Sequence, residues 1–107
     1  MGNPFGNLGG VMKQAKKMYE QVQKVQEQLA EERVEAASGG GMVKAVVSGK
    51  GELVEIKIDR QAVDPEDVEM LEDLVVSSVR EAQGAADRLR EERMKTAAGG
   101  LGIPGLF

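Results

Sequence analysis

Between residues 8 and 29 the apolar side chains fall at Leu8, Val11, Ala15, Met18, Val22, Val25 and Leu29, in steps of three, four, three, four, three and four. Nothing else in the chain restricts the fold as tightly. A 3.5-residue spacing kept for three heptads is narrower than the apolar stripe of an ordinary surface helix. It is the seam of a helix that packs lengthwise on another helix. The pattern predicts a helix from about Leu8 or Val11 to about Arg33, roughly 35 Å long at 1.5 Å per residue. Strands of about seven residues extend only about 23 Å, so part of such a helix must project beyond any small sheet beside it. The four lysines of the segment, Lys13, Lys16, Lys17 and Lys24, all avoid the seam.

The middle of the chain changes period. "RVEAA" suits a short strand and "SGGG" a turn. "MVKAVVS" alternates Val43, Ala45 and Val47 with Lys44, Val46 and Ser48, and "ELVEIKID" puts Val54, Ile56 and Ile58 on one face against Glu52, Glu55, Lys57 and Asp59. A period of two with one wet face predicts antiparallel strands, and the glycines of "SGKGE" supply a hairpin connection between them. "DPED" then reads as a helix start, with Asp64 as N-cap and Pro65 in the first helical position. The second helix carries its own seam, Val68, Leu71, Val75, Ser78, Ala82, Ala85 and Leu89, whose alanines leave room for another helix to come close. It should end at "AAGG" near residue 98.

The predicted architecture is α+β: a long helix, a three-stranded antiparallel sheet and a second long helix. The domain occupies residues 11–98, with a Gly-rich flexible arm over 1–10 and a flexible tail over 99–107. A chain of 107 residues with only one Tyr, two Phe and no Trp has a thin core. Such chains are commonly completed by association. Two seams of three heptads exceed what the sheet covers, so a homodimer is expected. Its seam candidates are Val11, Met18, Val22, Val25 and Leu29 on the first helix and Leu71, Val75 and Leu89 on the second.

Cysteine and histidine are both absent. That removes disulfides, thiolate zinc sites and most nucleophile–base pairs. The acidic run "DPEDVEMLED" complements a helix N-terminus and needs no metal to explain it, and "SGKG" lacks the spacing of a phosphate loop. No segment has secretory-signal or membrane-spanning character. The chain is therefore expected to be a soluble cytoplasmic protein without enzyme activity, cofactor, metal, membrane contact or small-molecule substrate.

The net charge of −4 conceals an asymmetry. Residues 1–26 carry four lysines against Glu20, whereas residues 52–73 carry nine acids against Lys57 and Arg60. A surface attracts partners by its local field. Arg88, Arg90, Arg93 and Lys95 form a second basic group near the end of the second helix. Were the helices antiparallel neighbours, both groups would gather at one tip, where phosphates would be held without sequence preference.

Taken together, "NLGGVMKQAKKMYEQVQKVQEQL", "SGGGMVKAVVSGKGELVEIKID", "DPEDVEMLEDLVVSSVREA" and "GGLGIPGLF" resemble the YbaB/EbfC family of bacterial nucleoid-associated proteins, in order and over nearly the whole chain. The resemblance implies a tweezer-like α-β-α homodimer whose long helices project as arms. It implies double-stranded DNA binding in the nucleoid, with roles in DNA compaction and gene regulation. By position, it places DNA contacts on Lys13, Lys16, Lys17 and Lys24 and on Arg88, Arg90, Arg93 and Lys95. The alternative reading is a dimeric protein-interaction module whose seams bind a partner helix.

Overall fold

The computed structural model describes residues 8–100. Helix α1 (Leu8–Glu31) leads into strands β1 (Arg33–Ser38), β2 (Val43–Ser48) and β3 (Leu53–Ile58). A 3-10 turn at Arg60–Ala62 then precedes helix α2 (Val68–Gly100). The sheet is an antiparallel meander in the order β1-β2-β3. The α+β architecture of helix, three strands and helix is as expected. Of the anticipated flexible arm and tail, residues 8–10 and 99–100 are helical, and the remainder lies outside the described residues.

The core lies between one sheet face and α2. Val34, Ala36, Ala45, Val47 and Ile56 meet Val79, Ala82 and Ala86, and Ala45, Val47, Ala82 and Ala86 are fully buried. The small residues of α2 thus bring it close to the sheet, not to a second helix as their spacing suggested. At one end of this layer the Ser38 hydroxyl donates to the Leu74 carbonyl at 2.6 Å. There Gly39 takes a positive φ of 60°, and a Cβ on it would stand 3.0 Å from the Leu74 side chain. At the opposite end, Gln83 donates to the carbonyl of Gly51.

Three local features differ from the sequence expectation. Asp64 does not cap α2; its carboxylate accepts from the Glu66 N–H and its carbonyl from the Asp67 N–H, closing a Pro65-centred turn. Asp67 is the cap, accepting from the Met70 N–H at 3.2 Å, so the helix begins one turn later. In β3, Val46 pairs with Glu55 but Val47 with Leu53, which leaves Val54 in a bulge. The extra residue breaks the alternation, so Leu53, and not Val54, shares the register of the core-facing Val47. On the far sheet face Val46 and Ser48 are buried rather than wet. Val46 sits between Glu35 and Glu55 on the neighbouring strands, and the Ser48 hydroxyl accepts from Lys50 and Glu52 within the hairpin.

Helix α1 touches this layer only by its last turns. Leu29 is fully buried. Its carbonyl, and that of Glu32, accept the N–H of Gly49 at 2.9 and 3.1 Å. The Arg33 guanidinium donates to the carbonyls of Ala30 and Glu32, so groups at the end of the helix that lack intrahelical partners are satisfied. From this root α1 leaves the sheet, antiparallel to the end of α2. The molecule accordingly measures 80 × 22 × 17 Å.

The root is sterically tight at Gly49, where a Cβ would stand 2.6 Å from the Leu29 carbonyl oxygen. Gly49→Ala is expected to lower stability in urea unfolding by about 1–3 kcal/mol, as overpacking does. Gly10→Ala, where a Cβ meets nothing within 4 Å, should not lower it.

Candidate nucleic-acid interface

The free part of α1 carries two opposed faces. At 100° per residue, Lys13, Lys16, Lys17, Glu20 and Lys24 share one side, and the apolar seam lies about 160° away. The surface agrees: Lys13, Lys16, Lys17 and Glu20 line one shallow depression, and Val11, Gln14, Ala15 and Met18 line another. All four lysines are exposed. None makes an ion pair among the described residues, so no fixed counter-charge holds them. From Lys13 to Lys24 the row runs about 16 Å along the helix.

The second basic group is divided. Arg93 reaches Glu32 at the root of α1, and Arg90 pairs with Asp87 at 2.6 Å and donates to the Lys50 carbonyl. These two arginines hold the root together. Arg88 and Lys95 are exposed and unpaired among the described residues. Because Arg93 lies opposite Glu32, the arginines stand at the base of α1 and the lysines further out. The two groups therefore lie at different heights along α1 and do not gather at a single tip. The acidic start of α2, with Asp64, Glu66, Asp67, Glu69, Glu72 and Asp73, sits at the other end of the sheet, beyond Leu74 and Ser38.

The seam candidates grade along the helices. Val25 and Leu29 are buried, Met18, Val22, Leu71, Val75 and Leu89 half-buried, and Val11 exposed. Met12 and Tyr19, which the seam reading passed over, stand 63% and 65% exposed. Their helical positions beside the stripe were the signal for them. Among the described residues no group of His, Cys, Asp or Glu is arranged to hold a metal, and no helix is long and apolar enough to cross a membrane.

The sequence profile of the YbaB/EbfC DNA-binding family matches residues 4–101. The chain belongs to this family. A nucleoid-associated protein of Thermoanaerobacter pseudethanolicus is 49% identical over 107 residues, covering 99% of this chain and 96% of the relative. One of Saccharopolyspora erythraea is 47% identical over 109 residues, covering 94% of each. The crystal structure of an uncharacterised Helicobacter pylori protein superposes with a TM-score of 0.69 at 27% identity, covering 85% of this chain and 92% of that one. The YbaB/EbfC family is thus one of DNA-binding proteins, not enzymes, and the projecting basic helix belongs to a fold shared with a solved structure.

If Arg93 anchors the arm, Arg93→Ala leaves Glu32, whose Oε2 has no partner among the described residues, without its cation. Its cost in urea unfolding is expected to be about 1–2 kcal/mol. Lys17→Ala, which removes an exposed side chain from a projecting helix, should change stability by less than about 0.5 kcal/mol.

Proposed function

We propose that this YbaB/EbfC-family chain binds double-stranded DNA as a homodimer and acts in the bacterial nucleoid, in DNA compaction and gene regulation. The observation that carries the reading is the row of exposed lysines on α1 that make no ion pair among the described residues. Lysines that make no internal pair are available to replace counterions on phosphates, and that exchange drives binding without regard to sequence. Lys13, Lys16 and Lys17 are assigned the main contacts. Lys24, Arg88 and Lys95 are assigned further contacts, and Arg90 and Arg93 add field while holding the root. The acidic start of α2 at the far end of the sheet orients the approach, turning the arm toward a polyanion. The nucleoid names of the bacterial relatives support the cellular setting.

Dimerisation has its own support. Leu53, Val54 and Ile58 on the edge strand β3 are between 42% and 50% exposed, and Val63, Val68 and Val76 are similarly open. An apolar edge strand with unpaired backbone groups favours pairing with another copy. In the proposed dimer this flank is covered and one arm projects from each subunit, so that two lysine rows face one duplex.

Fluorescence anisotropy with a labelled duplex over a salt series tests the proposal. With six lysines from two arms, log affinity should fall with log salt at a slope of about −5. Replacing Lys13, Lys16 and Lys17 with Glu together should weaken binding on the order of a hundredfold or more at low salt, with most of the slope gone. Unchanged affinity would remove these residues from the interface. Absence of binding by the parent chain at low salt would favour a protein partner instead. Sedimentation equilibrium of Val54→Asp should show a shift toward monomer if the β3 flank is the dimer contact.

A further inference from the structure

The apolar seam of α1 has uncharged borders. Counted in heptads from Leu8, the seam passes through Val11, Ala15, Met18 and Val22, and the positions flanking it are Met12 and Tyr19 on one side and Gln14 and Gln21 on the other. Lys13, Lys16, Lys17, Glu20 and Lys24 all take the outer positions. The flanking positions of a paired helix commonly carry the charges that choose its partner, and here they carry none. Toward the start of the helix the seam is open. Leu8, Val11, Met12 and Tyr19 are each more than half exposed, and Val11, Gln14, Ala15 and Met18 line one shallow groove. A contiguous apolar stripe of this kind marks a docking surface, and its uncharged borders suit another helix of the same make-up better than a polyanion.

Laid against a second copy running the opposite way, the seam complements itself. With Val11 level with Val22 of the second copy, Ala15 falls opposite Met18, so a small side chain meets a large one. On one border Met12 comes level with Tyr19, a thioether beside an aromatic ring. On the other Gln14 comes level with Gln21, and each amide has both a donor and an acceptor to offer. Two-fold symmetry repeats every one of these pairs. A parallel arrangement loses the match: Ala15 meets Ala15 and Met18 meets Met18, leaving one layer underfilled and the next crowded. It also sets two bodies at the same end of helices that pack about 8–10 Å apart, although the molecule is 22 × 17 Å across its long axis. The antiparallel register instead separates the two Leu29 roots by about 37 Å along the helix axis.

We infer that the α1 arm pairs with the α1 arm of a second copy as a short antiparallel coiled coil, with Val11 level with Val22. About two heptads bury too little to hold a dimer by themselves. The pairing is therefore a reversible contact, separate from the β3 flank. A copy that makes both contacts is joined to one neighbour through β3 and to another through its arm. The lysine rows, about 160° around each helix from the seam, stay open and face away from each other, so paired arms address two duplexes. That last step rests on the DNA-binding reading; the pairing of the arms does not.

The absence of cysteine permits a clean test. Full chains carrying Val11→Cys and Val22→Cys, mixed at high concentration under mild oxidation, should form a disulfide between the two variants, identified by mass spectrometry of the linked peptides. Either variant alone should not, because its two copies then stand about 16 Å apart along the axis, beyond the reach of a disulfide. Lys13→Cys mixed with Glu20→Cys, at matching heights on the outer face, should stay unlinked, which separates pairing from random collision. The mixed disulfide should persist when Val54→Asp is added to both chains, which separates the arm contact from the β3 flank. A mixed disulfide that is absent, or no more abundant than that of the outer-face pair, overturns the inference. Linkage of Val11→Cys to itself overturns it by making the arms parallel, and loss of the mixed disulfide with Val54→Asp overturns it by placing the association at β3.

Discussion

The shape of the molecule depends on how α1 is fastened to the sheet. Two backbone carbonyls, of Leu29 and Glu32, share the N–H of Gly49, the Leu29 side chain is fully buried beside them, and Glu32 takes the Arg93 guanidinium. Burying one leucine contributes roughly 1.5–3 kcal/mol, and the partly exposed ion pair about 1 kcal/mol at most. The attachment is therefore mainly apolar and steric, with the charge pair fixing direction. Being confined to the last two turns, it leaves the remainder of α1 to project.

That arrangement separates tasks along one helix. Its C-terminal turns serve the fold, and its N-terminal turns present side chains to solvent. The arginines divide in the same way. Arg90 and Arg93 are held by Asp87 and Glu32, whereas the lysines of the arm make no ion pair among the described residues. A net negative chain thereby keeps a positive segment at the start of α1, because between residues 8 and 26 Glu20 is the one acid against Lys13, Lys16, Lys17 and Lys24. Field strength at a contact depends on this local arrangement and not on the sum.

The core is small because α2 meets the sheet through alanines. Ala82 and Ala86 let the helix lie close to Ala45 and Val47, which yields dense packing but little buried area. The apolar area left on β3 and the start of α2 is the counterpart of that thin core.

The α1 seam, the strand periods and the lysine face were all legible in the sequence, since each is a local periodicity that survives any packing. The order of helix, three strands and helix came from them, and so did the family resemblance. The Val54 bulge was not legible, because a period-two pattern says nothing of one inserted residue until a partner strand sets the register. Nor was the later start of α2, since Asp64 and Asp67 both suit a cap and only the turn closed by Pro65 separates them. The arginines had appeared equivalent to the lysines. Glu32 and Arg93 are 61 residues apart, and only folding brings them together. The sequence by itself determined which faces are apolar and which are charged, because side-chain direction follows from helix and strand geometry alone. The tertiary structure decided which of those faces are used up and which remain open, because that depends on where α1 ends against Gly49 and how far α2 runs beside it.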